Sequence, residues 1–338
     1  MKRILCIVIA GLFAIGAYAQ TPAYSYLSEF TTQGEPLAIA ADANGGVYYT
    51  VFTFSGTNLT RCYYIADPLN ANGLDNQLLA ADGAETDVPA GRGFTGVAVD
   101  GKGNVYLALE SGAAATATVR KLSPAPEFKP VPAFFDGIVY GNKRYNGVEL
   151  LTDDTLALST FNMVEFWDAN DATPLYAAVG SESYQRDLAY DPETNNIYLA
   201  KNGNNLGNSA NLLAGGSPAA LEGYASFQNA FIAQGGLNSQ YGTNTQLIEY
   251  DVYNKLIVIP DYAETQRKMA FYKPSDPSKP VFTLDASESP NGPFAEPTDA
   301  VAVKKTSGEV ILYITDHSAK RILIYTTGTT KVAGWEIY

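Results

Sequence analysis

Near its C-terminal end the chain reads Pro297-Thr-Asp-Ala-Val-Ala-Val303, then Leu312-Tyr-Ile-Thr-Asp316, then Arg321-Ile-Leu-Ile-Tyr325. Its three segments are short and apolar, and turn-forming residues separate them, which indicates antiparallel strands joined by hairpins. The first two segments recur, with variations, in five earlier copies. The residues that close the first segment of each copy are Asp42, Asp100, Asp153, Asp191, Asp251 and Lys304, with a mean spacing of about 52 residues.

A repeat of this length with several strands per copy predicts a β-propeller, because helical solenoid repeats are shorter and carry helical periodicity. We therefore expect an all-β fold, a six-bladed β-propeller of four-stranded antiparallel blades. The first segment of each copy is rich in Ala and Val, as in Leu37-Ala-Ile-Ala-Ala41. Small side chains suit the innermost strand of a blade, where the blades converge on the central axis.

The segments of the last copy resemble an NHL repeat, and Thr95-Gly-Val-Ala-Val-Asp-Gly-Lys-Gly-Asn-Val-Tyr-Leu107 is similar. The resemblance covers most of the chain and extends to the gluconolactonase-like SMP-30 propellers, which are also six-bladed. It implies that the pair Asp316 and Arg321 ties two strands within a blade. These motifs are structural, so they imply a fold and leave the chemistry open.

The N-terminus reads as an export signal. Lys2 and Arg3 precede an apolar run of about a dozen residues, which is shorter than the roughly 20 needed to span a bilayer. We expect residues 1–19 to be a signal peptide cleaved after Ala19, which predicts a secreted or periplasmic protein without membrane insertion. A first core strand or a membrane anchor is the alternative interpretation.

Residues 20–338 then form a single propeller domain with two insertions, at about 67–92 and 202–244. The second insertion, in blade four, is rich in Asn, Gly, Ala and Ser, and we predict that it covers a ligand or contacts a partner. A terminal segment should complete the last blade and so remove an exposed edge. Both 24–30 and 332–338 read as strands, and the sequence does not choose between them.

Composition excludes several classes of partner. The formal net charge is −13 and there are no basic runs, so we expect no binding to nucleic acid. Only Cys62 follows the signal segment, so no intrachain disulfide can form within residues 20–338. We expect Cys62 to be buried in a strand. We also expect the protein to be a monomer. The chain has a single histidine, His317, which argues against propeller enzymes that depend on several histidines and against a Cys/His zinc site.

The residues that enter the first strands should ring the mouth of the central channel. The predicted binding face contains Thr95, Arg186, Gln246, Asp261 and Asp316. The resemblance to SMP-30-like lactonases, which hold a divalent metal at this place, makes Glu35, Asn146, Asp187 and Asp299 the candidate metal ligands. Oxygen ligands of this kind suit calcium. The alternative is that these polar residues cap strand ends and solvate a funnel.

Two functions follow. The leading one is a non-catalytic binding scaffold that contacts protein or glycan through the acidic face and the blade-four insertion, with no certain cofactor. The second is a lactonase-like hydrolase that depends on calcium or another divalent cation. No catalytic residue can be assigned from the sequence, and Asp299 and Glu35 are the candidates for activating water. His317 is not expected to be catalytic, since adjacency to Asp316 and Ser318 in sequence does not create triad geometry.

Overall fold

A computed structural model describes residues 24–53, 61–70, 77–81, 93–109, 119–131, 134, 145–151, 154–160, 163–180, 185–202, 210–215, 238–241, 247–261, 267–276 and 279–327. The strands in chain order are β1 (Ser25–Thr31), β2 (Pro36–Ala41), β3 (Val47–Val51), β4 (Arg61–Ile65), β5 (Gln77–Ala81), β6 (Phe94–Val99), β7 (Val105–Leu109), β8 (Val119–Leu122), β9 (Tyr145–Leu150), β10 (Thr155–Thr160), β11 (Met163–Asp168), β12 (Pro174–Gly180), β13 (Gln185–Asp191), β14 (Asn196–Asn202), β15 (Ala210–Gly215), β16 (Asn238–Tyr241), β17 (Glu249–Asp251), β18 (Leu256–Asp261), β19 (Lys268–Tyr272), β20 (Phe282–Leu284), β21 (Pro297–Lys304), β22 (Val310–Asp316) and β23 (Arg321–Thr326).

These strands form antiparallel sheets, and the molecule is an all-β β-propeller. Four-stranded sheets are β2 to β5, β9 to β12, β13 to β16, β17 to β20, and β21 to β23 with β1. The prediction that every blade has four strands is wrong for the remaining sheet, in which only β6, β7 and β8 pair within the described residues. The innermost strands contact one another in the cyclic order β2, β6, β9, β13, β17, β21 and back to β2.

The prediction that the first segment of each copy is innermost is confirmed by this order. Ala38, Ala98, Ala189 and Ala300 lie buried on these strands, where larger side chains would separate the sheets. The second strands carry the bulk of the core, because Tyr48, Tyr106 and Tyr198 are almost completely buried between sheets. Cys62 is buried on β4, as expected.

Asp42 and Asp100, which close the first strands of their copies, hold the hairpin turns that follow. Asp42 Oδ1 accepts hydrogen bonds from the backbone N–H groups of Asn44 and Gly46 at 2.8 and 3.0 Å. Asp100 Oδ1 accepts from Lys102 and Asn104 at 2.9 and 2.8 Å in the same way. An aspartate in this position holds the turn by bonding backbone groups two and four residues ahead. The acids at these two turns are therefore structural.

The N-terminal strand completes the last blade. Strand β1 pairs with β23 along its whole length, from Ser25 opposite Thr326 to Thr31 opposite Arg321. Tyr24 extends the closure to the neighbouring sheet, because its hydroxyl donates a hydrogen bond of 2.6 Å to Asp251. This settles the choice between the termini in favour of 24–30, while 332–338 lies outside the described residues.

Parts of both predicted insertions are strands. Strand β5 lies within 67–92, and β15 and β16 lie within 202–244, where they form the two outer strands of the fourth blade. Among the described residues, no helix has the length and apolar character needed to cross a membrane.

Candidate functional site

The channel mouth is built on a β-bulge that recurs at the start of the innermost strands. The register with the second strand shifts between Phe94 and Gly96, between Gln185 and Asp187, and between Pro297 and Asp299. Comparable shifts occur at the start of β2 and opposite Asn146 in β9. A bulge leaves one residue out of the ladder and redirects its side chain. The bulged residues include three predicted site residues, Thr95, Asn146 and Arg186.

The bulged positions tie each blade to the next one. Thr95 Oγ1 donates a hydrogen bond of 2.8 Å to the carbonyl oxygen of Tyr145, which begins the next inner strand. Thr298 Oγ1 donates to the carbonyl oxygen of Leu37 at 2.9 Å across the junction between the last sheet and the first. Both threonines are buried. These side chains therefore fasten the ring rather than present themselves to a ligand.

Two predicted metal ligands make the same kind of contact. Asp187 Oδ2 accepts a hydrogen bond of 3.0 Å from the backbone N–H of Ile248, next to β17. Asp299 Oδ2 accepts one of 2.8 Å from the backbone N–H of Ile39 on β2, and its Oδ1 accepts from Ala300 at 2.8 Å. Each carboxylate thus satisfies a backbone N–H group at the neighbouring inner strand.

Four acidic side chains on different inner strands influence one another electrostatically. Glu149, Asp187, Glu249 and Asp299 stand on β9, β13, β17 and β21, and we call them the channel carboxylates. Each of them interacts electrostatically with at least one other member of the set. Asp299 interacts in this way with Glu149, which lies on the opposite side of the ring. Strands on opposite sides of a propeller can interact in this way only through the channel.

The channel holds these acids in an unfavourable environment. Burial raises the pKa of Asp187 to about 8, against the lowering effect of its backbone hydrogen bonds. Burial and then the charge of Asp187 raise the pKa of Glu149 and of Asp299 well above the usual range. Burial and then the charges of Glu149 and Asp299 do the same to the pKa of Glu249. A cation entering the channel would relieve this repulsion.

Sequence reasoning missed Glu149 and Glu249. They occupy the place in the inner strand where other copies have Ala40, Ala98 and Ala189. A glutamate within an otherwise apolar innermost segment was the available signal, because only a position facing the channel tolerates it. Both side chains are partly exposed, in contrast to those alanines.

The structure places Glu35 in a different group of residues. Its carboxylate lies 4.0 Å from His317 Nε2 and 3.8 Å from Lys320 Nζ. His317 is buried, with Nδ1 3.2 Å from Glu296 Oε2 and Nε2 3.0 Å from the carbonyl oxygen of Phe52. The hydroxyl of Ser318 donates to Glu296 rather than to the histidine. This arrangement is not that of a Ser-His-Asp triad.

The remaining predicted residues are dispersed. Asp316 has a fully buried carboxylate that contacts Arg321 at 2.9 Å, so it lies inside the last blade and not on an exposed face. Its pairing with Arg321 confirms the tie between two strands of that blade. Asp261 is buried at the end of β18, and Gln246 lies outside the described residues.

The predicted metal ligands do not fit a divalent ion as the structure arranges them. The oxygens of Asp187 and Asp299 already accept backbone hydrogen bonds, and Glu35 is engaged with His317 and Lys320. Within the ranges described above, no three His, Cys, Asp or Glu side chains are grouped so as to hold a metal ion. We therefore derive no catalytic step through a metal.

The channel carboxylates make stability fall as pH rises. Their pKa values are higher in the folded protein than in the unfolded chain, so the folded state binds more protons between about pH 4 and pH 8. Their contribution is fully favourable below the unfolded pKa and is lost as pH rises through the folded pKa. We expect the free energy of unfolding in urea to decrease from pH 5 to pH 8 by on the order of 1–2 kcal/mol.

The Glu149→Gln variant should flatten this pH dependence, because the amide cannot ionise. Glu127 is an exposed glutamate away from the channel, so Glu127→Gln is the matched control and should keep the wild-type slope. A wild-type stability that is constant or rises between pH 5 and pH 8 would contradict the assignment of raised pKa values.

Comparison with known proteins supports the fold and assigns no family. No family model matches the chain, and no curated protein sequence matches it significantly. Solved structures do match. A chain of the nidogen/laminin complex aligns with a TM-score of 0.50 at 12% identity, over 81% of this chain and 90% of that chain.

Hydrazine synthase from Kuenenia stuttgartiensis aligns with a TM-score of 0.50 at 12% identity, over 91% of this chain and 80% of that chain. A candidate oxidoreductase (glucose dehydrogenase) from Thermus thermophilus aligns with a TM-score of 0.56 at 10% identity, over 90% of this chain and 99% of that chain. At such identity the likeness shows the propeller-type fold and carries no information on substrate or partner.

Proposed function

We propose that this chain is a secreted, six-bladed, NHL-type propeller that acts as a non-catalytic binding scaffold. The observation that carries the proposal is the set of four channel carboxylates on four different inner strands. Their repulsion favours a cationic group at the axis. The partner class that fits best is a protein that inserts a Lys or Arg side chain into the channel mouth, with 216–237 as an additional contact.

The hydrogen bonds at the mouth favour binding over catalysis. An acid–base catalyst must move its proton toward a substrate, whereas Asp187 and Asp299 hold backbone N–H groups of the next blade. Glu149 and Glu249 are the members of the set that no described hydrogen bond restrains. They are therefore the residues that we expect to receive the cationic group.

Binding of an oligo-lysine peptide tests the proposal. We expect the wild-type protein to bind hexalysine in low salt, and the Glu149→Gln/Glu249→Gln variant to bind at least tenfold more weakly, measured by calorimetry. The variant Glu127→Gln/Glu288→Gln removes the same charge from exposed sites and should retain the affinity. Equal affinity of the two variants would reject the channel as the binding site.

The second candidate is a divalent-metal-dependent, lactonase-like hydrolase, which the hydrogen bonds of Asp299 and the ion pairs of Glu35 do not favour. The raised pKa of Asp187 is the observation that supports this second candidate, because carboxylates with shifted pKa values cluster at catalytic sites. Calorimetry with calcium separates the two functions. Calcium binding that disappears in Asn146→Ala and Asp299→Ala, together with lactone hydrolysis, would favour the hydrolase over the scaffold.

Replacing 219–234 with a short Gly-Ser linker tests the blade-four contact. This replacement leaves β15 and β16 in place, whereas deletion of all of 202–244 would remove both strands from the fourth blade. Loss of partner capture in an otherwise folded variant is the expected result.

A further inference from the structure

The face opposite the channel mouth carries a cavity between the first and last sheets. Its volume is about 490 Å³, within the range of sites for small ligands. One wall is the turn after β2 together with Asp67, Pro68 and Leu69 after β4, and the other is the turn that joins β21 to β22. The channel mouth, at the start of the inner strands, lies at the opposite end from these turns, so the two sites are separate.

The interior of the cavity is apolar except for one hydroxyl. Leu69, Val303 and Ile311 line it, and Tyr313 lies between them with 2% of its surface exposed. Within the described part of the chain, the hydroxyl of Tyr313 has no hydrogen-bond partner. The hydroxyl is not one of the enclosed side-chain atoms that lack a partner, so it is accessible in the cavity, where it can donate a hydrogen bond to a ligand oxygen.

The protonation state of Tyr313 makes it a donor. Burial and then the charge of Asp67 raise the pKa of the phenol above its usual value. The hydroxyl therefore stays protonated at all physiological pH values and can donate to a ligand oxygen. The influence of Asp67 also indicates that the hydroxyl end of Tyr313 faces the wall of the cavity that Asp67 forms.

The rim offers both charged and uncharged polar groups. Asp67 accepts a hydrogen bond of 2.6 Å from Asn70, which orients its carboxylate. Lys304 is exposed and has no ion pair among the described residues, whereas Lys305 is paired with Glu309 at 3.7 Å. Amide and hydroxyl groups complete the rim, from Asn44, Thr306 and Ser307.

We propose that this cavity binds a carbohydrate unit of one or two sugar rings. A sugar has hydroxyls that both donate and accept, which suits a rim of carboxylate, amide, ammonium and hydroxyl groups. Its C–H face suits the aliphatic interior. A fixed ion would be disfavoured, because Asp67 and Lys304 oppose each other in sign. The proposal is independent of the scaffold function at the channel mouth.

Saturation-transfer difference NMR on the full protein tests it, with glucose, galactose, mannose, N-acetylglucosamine, cellobiose and maltose as the probes. We expect at least one of them to bind the wild-type protein. Tyr313→Phe keeps the ring and removes the hydroxyl, so its affinity for that sugar should fall about fivefold to tenfold. Lys304→Ala, at an exposed position, should weaken binding without affecting folding.

Tyr325→Phe is the matched control. Tyr325 stands on the adjacent strand β23, and its hydroxyl is buried and lacks a described partner, but it does not line the cavity. Its variant should bind as the wild type does, and so should Glu149→Gln/Glu249→Gln. Absence of binding by all six sugars, or equal affinity of Tyr313→Phe and wild type, would overturn the proposal.

Discussion

Replacing Arg321 with methionine should lower the free energy of unfolding by about 3–5 kcal/mol, because it leaves buried carboxylates without their cation. Arg321 contacts Asp316 at 2.9 Å and Glu29 at 3.2 Å, and the three side chains are 7%, 0% and 8% exposed. Glu29 belongs to β1, the strand that closes the last blade. The substitution therefore weakens the ring at the blade in which β1 pairs with β23.

The network around Arg321 is fully bonded. Its guanidinium also donates to Ser289 at 3.1 Å and to the carbonyl oxygens of Gly292 and Pro293 at 3.0 and 2.8 Å. Each of these acceptors would lose a partner in the variant, and buried acceptors without partners add to the cost.

Urea denaturation followed by tryptophan fluorescence measures the effect. Lys320→Met is the matched control. It removes a neighbouring cation whose side chain is 53% exposed and whose Nζ lies 3.8 Å from the Glu35 carboxylate. An exposed pair of that kind is worth about 0–1 kcal/mol. If Arg321→Met cost no more than Lys320→Met, the network would have no role in closure.

Gly147→Ala should destabilise the protein by on the order of 3 kcal/mol, because the innermost strands leave no room for a methyl group. A Cβ at residue 147 would lie 2.2 Å from Asp187 Oδ1, 2.8 Å from Asp187 Cα and 2.9 Å from Ser159 Oγ. The contact with a Cα atom means that β13 itself must move, and that movement would also disturb the hydrogen bond between Asp187 and Ile248.

Gly101→Ala provides the comparison. Gly101 lies in the turn after β6, where a Cβ would meet nothing within 4 Å and where φ is not positive. The control should be neutral or slightly stabilising, by about 0.4–1 kcal/mol. Equal effects of the two substitutions on the urea midpoint would show that β9 and β13 can separate without cost.

The candidate site was only partly predictable. The sequence placed Thr95, Asn146, Asp187 and Asp299 at the start of inner strands, and the structure has them there. It could not show that their polar atoms bind the next blade, because a bulge is a matter of register between strands. Glu35 was assigned to the same ring, but its loop directs it toward His317 and Lys320.

The opposite face shows the same limit. Asp67 and Lys304 are separated by more than two hundred residues and belong to the first and last copies. Only closure of the ring brings them to one cavity. No periodic pattern along the chain indicates that Tyr313 would have its hydroxyl in that space.

Local sequence patterns predict the repeat, the antiparallel meander and the innermost position of the Ala- and Val-rich strands. These features depend on local alternation, turn residues and side-chain size, which act over a few residues. Only the arrangement of the blades shows which terminus closes the ring and which acids interact through the channel. It also shows which polar groups lack a partner among the described residues. Those outcomes depend on contacts between distant copies, whose geometry exists only once the blades are arranged around the axis.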